Sequence, residues 1–305
     1  MSCRICRITV IAAALLTTAC EHAQEPAAKA PSSSATTQST TSPPGMATAA
    51  ASRGWNDEMG PILVTPSLDV GLPIMFARDT TSGAGVVVEL LNHDDHTSLA
   101  TLHPGAVIRS CAWRRSATLM RSDGRPVPGS WSLALVPGVA VPLGVDGASE
   151  LLPRDSATLV ARIHRLVSAI PEDSASSPFR GLPIVVRDAW LFRLADSTPI
   201  AVAIAMRSLG AESNPRAQLI MIIAEPDRSS GDGQWRTAFA ERFAGPEDLI
   251  EAMDLLAAFE LRGSRPAVAL VREGDAGLQL RILERVAPGS WVVRWSSLSL
   301  PCSPG

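Results

Sequence analysis

An eight-residue motif occurs twice in the second half of this 305-residue chain, and this repeat constrains the fold more than any other feature. Residues 192–199 read FRLADSTP and residues 259–266 read FELRGSRP, so that Phe, Leu, Ser and Pro recur at one offset of 67 residues. An apolar run follows each motif. Self-similarity of this kind is typical of a repeated supersecondary unit, in which each copy forms the same small group of elements.

The similarity continues beyond the motif. Residues 218–225 (QLIMIIAE) align with residues 279–284 (QLRILE), and residues 235–239 (WRTAF) align with residues 291–295 (WVVRW). The offset decreases because the second copy has shorter turns. Gly, Pro, Ser and Asp separate the apolar runs, as they do between short strands. Each copy is therefore predicted to form four strands in an antiparallel meander, within residues 185–300.

The first half of the chain contains a related piece. Residues 127–131 (VPGSW) resemble residues 287–291 (APGSW), which suggests a third and more diverged copy. Its predicted strands are 86–91, 98–102, 106–113 and 131–136.

The four-strand pattern resembles the blades of FG-GAP and other propeller proteins. Those blades carry an Asp-rich calcium loop at the first turn, whereas this chain has Ala195-Asp196-Ser197 in one copy and Arg262-Gly263-Ser264 in the other. A closed propeller also needs about four to eight blades, more than the two or three copies here. We therefore expect stacked or sandwiched antiparallel sheets without calcium.

Helices are predicted at two places. Asp155 or Ser156 can cap a helix that ends at Pro171, and the apolar residues follow a 3.6-residue spacing. They are Leu159, Val160, Ile163, Leu166, Val167 and Ile170. Residues 245–248 (GPED) suit a second helix start, although the repeat makes the end of residues 249–261 a strand. The predicted fold class is mainly β with one or two helices; the alternative is α+β.

The N-terminus has the order of an export signal. Arg4 and Arg7 precede an apolar run over residues 8–19, which is shorter than the roughly 20 residues that span a membrane. Residues 16–20 (LTTAC) end in Cys20, and this segment resembles the lipobox of bacterial lipoprotein precursors. The resemblance implies that Cys20 receives lipid, including palmitate, and becomes the first mature residue. The alternatives are an ordinary secretory signal that is cut nearby and a retained anchor.

The location of the mature protein follows from the same segment. Glu21 follows the cysteine, and the Asp that commonly retains such proteins at the inner membrane is absent. The resemblance therefore implies an outer-membrane anchor facing the periplasm. Residues 20–54 are rich in Ala, Pro, Ser and Thr and are predicted to be a disordered tether. Residues 55–305 form the globular part: a first half (62–150), a helical connector (151–171) and the repeat region.

Two cysteines remain after export. Cys3 and Cys6 leave with the signal peptide (residues 1–19), and Cys20 carries the lipid. Cys111 and Cys302 are an even pair in an oxidising compartment, which predicts a disulfide between them. The alternative is two separate thiols.

Histidines provide the one candidate metal site. His93 and His96 lie with Asp94 and Asp95 in a predicted hairpin turn, where they could converge on zinc or copper. The alternative is a solvated polar turn. The acidic residues Glu247, Asp248, Glu251 and Asp254 would form a stripe if helical, and such a stripe more often faces solvent than catalyses.

The composition narrows the function. The net charge of −3 and the scattered arginines argue against a nucleic-acid partner, and the absence of tyrosine weakens a carbohydrate-binding interpretation. No sequence motif requires a cofactor. We therefore expect a non-enzymatic, membrane-anchored binding or scaffolding domain, whose partner is an envelope protein or a small ligand. The alternatives are a metal-binding module at His93 and His96, and an enzyme whose site has no sequence signature.

Overall fold

The fold is mainly β, as predicted. The computed structural model describes residues 62–64, 69–71, 85–108, 111–174, 176–210, 215–228, 234–247, 250, 252–263, 265–274 and 277–297. These residues form sixteen strands in three antiparallel sheets, together with one α-helix and a short 3-10 turn at Ser177–Phe179.

Each predicted copy of the repeat forms a four-stranded antiparallel meander. The first consists of β9 (Val185–Arg193), β10 (Pro199–Leu209), β11 (Arg216–Pro226) and β12 (Trp235–Pro246). The second consists of β13 (Ala252–Leu261), β14 (Arg265–Gly274), β15 (Gly277–Ala287) and β16 (Ser290–Ser296). Phe192 and Phe259 take equivalent places near the ends of β9 and β13.

One short segment supplies a fifth strand to both meanders. β7 (Ala140–Leu143) pairs with β13, and β8 (Val145–Gly147) pairs with β9. Gly144 alone separates β7 from β8. Sheet I therefore has the order β12-β11-β10-β9-β8, and sheet II has the order β16-β15-β14-β13-β7. The shared segment joins corresponding edges of the two sheets.

Sheets I and II pack face to face, which confirms the sandwich among the predicted arrangements. Large apolar side chains from both sheets form one buried cluster between them. Its members include Val202, Ile204, Leu219 and Met221 from sheet I and Leu255, Val268, Leu270 and Leu283 from sheet II. Along β10 and β14 these residues alternate with alanines, because successive side chains of a strand point to opposite faces.

The outer face of sheet I is covered by the helix α1 (Pro153–Ala169). Its buried residues Leu159, Ile163 and Val167 pack on a face that contains Ala201, Ala203 and Ala205. Small side chains at these positions let the helix approach the sheet closely. The inner strands of sheet I are therefore buried on both faces: β11 is buried at nine of its eleven positions, whereas the edge strand β12 has no buried residue.

The outer face of sheet II is covered by a closed six-stranded sheet with the order β1-β2-β5-β4-β3-β6. Its strands are β1 (Ile62–Val64), β2 (Asp69–Gly71), β3 (Val86–Leu91), β4 (Thr97–Ile108), β5 (Cys111–Met120) and β6 (Leu133–Leu135). Leu91, Leu133 and Leu135 pack with Phe259 and Ile282 of sheet II. The layers therefore run from helix to sheet I, sheet II and closed sheet.

The first half is not a third copy of the meander. Its last strand, β6, pairs with β3 and β1, whereas the fourth strand of each meander pairs only with the third in the described residues. The strand predicted over residues 106–113 is also wrong. That stretch includes the end of β4 and the start of β5, two antiparallel strands in which Ile108 pairs with Cys111.

Two helix predictions need correction. The helix begins at Pro153 after Leu152, before the predicted caps Asp155 and Ser156, because proline suits the first position of a helix. It ends at Ala169, before Pro171, as predicted. The second helix after Gly245 is wrong: β12 continues to Pro246 and β13 begins at Ala252. The repeat, whose strands are buried on both faces, prevails over the local helix signal.

Ala203→Leu tests the close approach of α1 to sheet I. The larger side chain has no room beneath the helix, so we expect the free energy of unfolding to fall by about 1–3 kcal/mol. Ala161→Leu, at an exposed position of α1, is the matched control and should change it by less than about 0.5 kcal/mol. Urea unfolding measures both. Equal stabilities of the two variants would contradict the packing described here.

Candidate functional site

A cleft of about 560 Å³ lies between the N-terminal half of α1 and the β8–β9 edge of sheet I. This volume falls in the range of small-ligand sites. The lining residues are Gly144, Asp146, Leu151, Asp155, Thr158, Leu159, Arg162, Leu191, Phe192 and Arg193. Leucine side chains supply apolar surface, and four charged side chains surround it.

Strand alternation directs the β8 and β9 side chains into the cleft. Val145 and Phe192 pair with each other and point into the sandwich core. Their neighbours Asp146 and Leu191, which also pair with each other, therefore face the helix side, as does Arg193 two positions beyond Leu191. Gly144 adds no side chain, so this end of the cleft stays open.

One face of α1 forms the opposite wall of the cleft. Asp155, Thr158, Leu159 and Arg162 are separated by three, one and three residues, which puts them on one stripe of α1. Leu159 is buried against sheet I and fixes the orientation of this stripe. Thr158 donates its hydroxyl hydrogen to the Arg154 carbonyl of the same helix, with an oxygen–oxygen distance of 2.8 Å.

The two carboxylates of the cleft have no partner among the residues that the structure describes. Asp146 and Asp155 are both exposed, and among the described residues neither carboxylate forms a hydrogen bond or an ion pair. Arg193 makes only a long contact, with 3.5 Å between its Nη1 and the Ser197 carbonyl oxygen. These three charged groups can therefore bind a ligand without first breaking a strong interaction in the protein.

Arg162 is held in place by an aromatic ring. Its guanidinium carbon lies 4.4 Å from the centroid of the ring of Trp235, which is the first residue of β12. Burial, and then the positive charge of Arg165, lower the pKa of Arg162 from its ordinary value. An arginine remains protonated near neutral pH, so Arg162 presents a positioned cation to the cleft.

The predicted histidine turn lies elsewhere, between β3 and β4. His93 reaches across to sheet II, where its Nε2 contacts the Leu255 carbonyl oxygen, and its own carbonyl accepts from the Val145 backbone N–H at 2.9 Å. His96 is exposed, and its Nδ1 lies 2.7 Å from Asp95 Oδ1. Asp94 takes part in a local turn with Asn92. The two imidazoles therefore have different partners.

Metal binding at this turn stays a prediction. In the part of the chain that the structure describes, no three His, Cys, Asp or Glu side chains are placed to share an ion. A metal bound through His93 Nε2 would replace the contact to Leu255. The geometry instead gives His93 a role in joining the first half of the chain to the sandwich.

The acidic stripe expected on a second helix does not form, because Asp254 lies on the strand β13 and Glu247 follows β12. Asp248 and Glu251 lie outside the described residues. Asp254 keeps access to solvent, but the loss of part of its hydration raises the pKa of its carboxyl, and the nearby His93 opposes this rise. Asp254 therefore lies near His93, where the first half of the chain contacts sheet II.

The structure does not test the predicted lipidation of Cys20 or the predicted disulfide between Cys111 and Cys302. Cys20 and Cys302 lie outside the described residues, and Cys111 begins β5 without a described side chain. Both lipidation and the disulfide stay predictions. No helix within the described ranges has the length and apolar character needed to cross a membrane.

Sequence reasoning missed the cleft. Asp155 was considered only as a cap, and Arg193 only as part of the repeated motif. The spacing of Asp155, Thr158 and Arg162 is a visible signal of a shared helix face. The position of Asp146 opposite Leu191 depends on a pairing between residues 45 apart, which no local pattern reveals.

Comparison with known proteins identified no relative of this chain. No protein-family model, no curated protein and no solved structure matches this chain.

His93→Ala tests the junction between the first half and the sandwich. Its ring contacts the carbonyl of the buried Leu255, so we expect the free energy of unfolding to fall by about 1–2 kcal/mol when that carbonyl loses its partner. His96→Ala is the matched control, because His96 is exposed and interacts with its neighbour Asp95. Urea unfolding at pH 7 compares the two. Equal effects would contradict a structural role specific to His93.

Proposed function

We propose that this chain is a lipid-anchored envelope protein whose β-rich domain binds a small ligand in the cleft beside α1 and does not catalyse its conversion. The cleft is the observation that carries the proposal. It combines an apolar surface with two carboxylates that have no partner among the described residues, and binding sites for small molecules join apolar surface with polar groups that orient the ligand.

The chemistry of the lining favours binding over catalysis. The one hydroxyl among the lining residues, on Thr158, donates to a carbonyl of its own helix and is not hydrogen-bonded to a base. A hydroxyl nucleophile needs a base within hydrogen-bond reach. The charged groups are instead arranged around the apolar surface, where they can orient a bound molecule.

The lipid anchor of the proposal rests on the N-terminal sequence. The apolar run that ends at Cys20 would place lipid on this cysteine, and residues 20–54 would join the anchor to the domain. A segment of this length and composition reaches on the order of 30 Å as a coil. The cleft would then be presented to the periplasm, close to the outer membrane.

Cys20→Ala tests the anchor. We expect the protein to leave the membrane fraction and to lose labelling by radioactive palmitate, because the residue that would be acylated is gone. Cys6→Ala is the matched control, since this cysteine lies in the segment that would be removed. Palmitate retained in the Cys20→Ala protein would contradict lipidation at this position.

Thr158→Trp tests the cleft. The indole would occupy part of the cavity, so small neutral fragments that shift the NMR signals of cleft residues in the wild-type protein should bind at least about tenfold more weakly. Ala157→Trp adds the same side chain at an exposed position next to the cleft lining and should leave binding unchanged. If no fragment of a diverse set perturbs cleft signals, or if both variants bind alike, the binding function of the cleft is wrong.

A further inference from the structure

Each wall of the cleft carries one carboxylate and one guanidinium, which are separated along the wall. Asp155 lies in the first turn of α1, and Arg162 lies seven residues further along the same stripe. At a rise of 1.5 Å per residue, their Cα atoms are about 10 Å apart along the helix axis. On the strand wall, Arg193 lies two positions beyond Leu191, the residue that pairs with Asp146, or about 7 Å along the strand.

The two walls together carry two negative and two positive side chains, so the lining has no net charge. Their carboxylates have no partner among the described residues, the guanidinium of Arg162 stacks on Trp235, and Arg193 has one long contact. A ligand with a single charge would satisfy one end of this arrangement and leave the other end uncompensated. A dipolar ligand satisfies both ends.

We infer that the cleft binds a short zwitterionic peptide of about three residues in an extended conformation; this inference rests on the proposed function. An extended chain spans about 3.3–3.6 Å per residue, so the terminal ammonium and carboxylate of a tripeptide are about 10 Å apart. This span is similar to the separation of the Asp155 and Arg162 Cα atoms along the axis of α1. The volume of 560 Å³ has room for such a peptide.

Each end of the peptide has named partners. Asp146 and Asp155 accept hydrogen bonds from the terminal ammonium, and Arg162 and Arg193 donate to the terminal carboxylate. Charge-assisted hydrogen bonds of this kind are stronger than neutral ones, and the planar arginine fork fits a carboxylate. Leu159 and Leu191 contact the small side chains between the ends, which favours residues such as alanine.

Isothermal titration calorimetry of the full chain in detergent tests the inference with trialanine, N-acetyl-trialanine and trialanine amide. We expect trialanine to bind best, and the loss of either terminal charge to weaken binding at least tenfold. Trialanine that binds no better than both of the blocked peptides, or that does not bind, would overturn the inference.

Charge-neutral variants assign the two ends. In the double variant Asp146→Asn with Asp155→Asn, acetylation of the peptide should no longer weaken binding, whereas amidation still should. In the double variant Arg162→Gln with Arg193→Gln the pattern should reverse, because each double variant removes both partners of one terminus. Asp123→Asn, at an exposed carboxylate outside the cleft, is the control and should bind as the wild type does. Sensitivity to both modifications that persists in both variants would overturn the inference.

The fragment experiment separates this inference from the proposed function. If neutral fragments bind and Thr158→Trp blocks them while trialanine does not bind, the peptide assignment fails and the binding cleft stands. If neither fragments nor trialanine bind, both fail.

Discussion

The fold depends on the packing of sheets I and II against each other, because every other layer rests on an outer face of this sandwich. Burying a large aliphatic side chain contributes on the order of 1.5–3 kcal/mol, and the interface contains more than ten such residues. Helix α1 and the closed sheet then cover the outer faces. The inner strands of both central sheets are therefore buried on both sides, which explains the nearly continuous apolar sequence of β11.

Charged side chains also cross between the two sheets, on the flank where β12 and β15 lie. Arg285 binds the buried Glu225, and Arg281 binds Glu241. The Arg272 guanidinium carbon lies 4.2 Å from the centroid of the Phe243 ring. Removing one partner of a buried ion pair is costly because the other charge stays buried. These pairs therefore penalise any sliding of one sheet over the other, whereas aliphatic packing alone would tolerate more variation.

The sequence predicted those parts of the fold that depend on local pattern. The repeat identified two meanders, because turn residues and apolar runs recur at matching places, and the spacing of Leu159, Ile163 and Val167 identified the helix. It could not predict that β6 returns to β3, or that Gly144 separates strands of different sheets, because these pairings join distant segments. The cleft was missed for the same reason: its walls come from β8, β9 and α1, and its charges look like ordinary surface residues when taken singly.

The segment Ala140–Gly147 has a consequence for the order of folding. β7 pairs with a strand that begins more than a hundred residues later, and β8 pairs with one about forty residues later. During synthesis from the N-terminus, the backbone groups of this segment must wait until both partner strands exist. Closing such long loops is slow because their entropy is lost before the contacts form. Docking of this short ribbon therefore requires both β9 and β13 to be in place, and the part of the cleft wall that β8 supplies forms only with that docking.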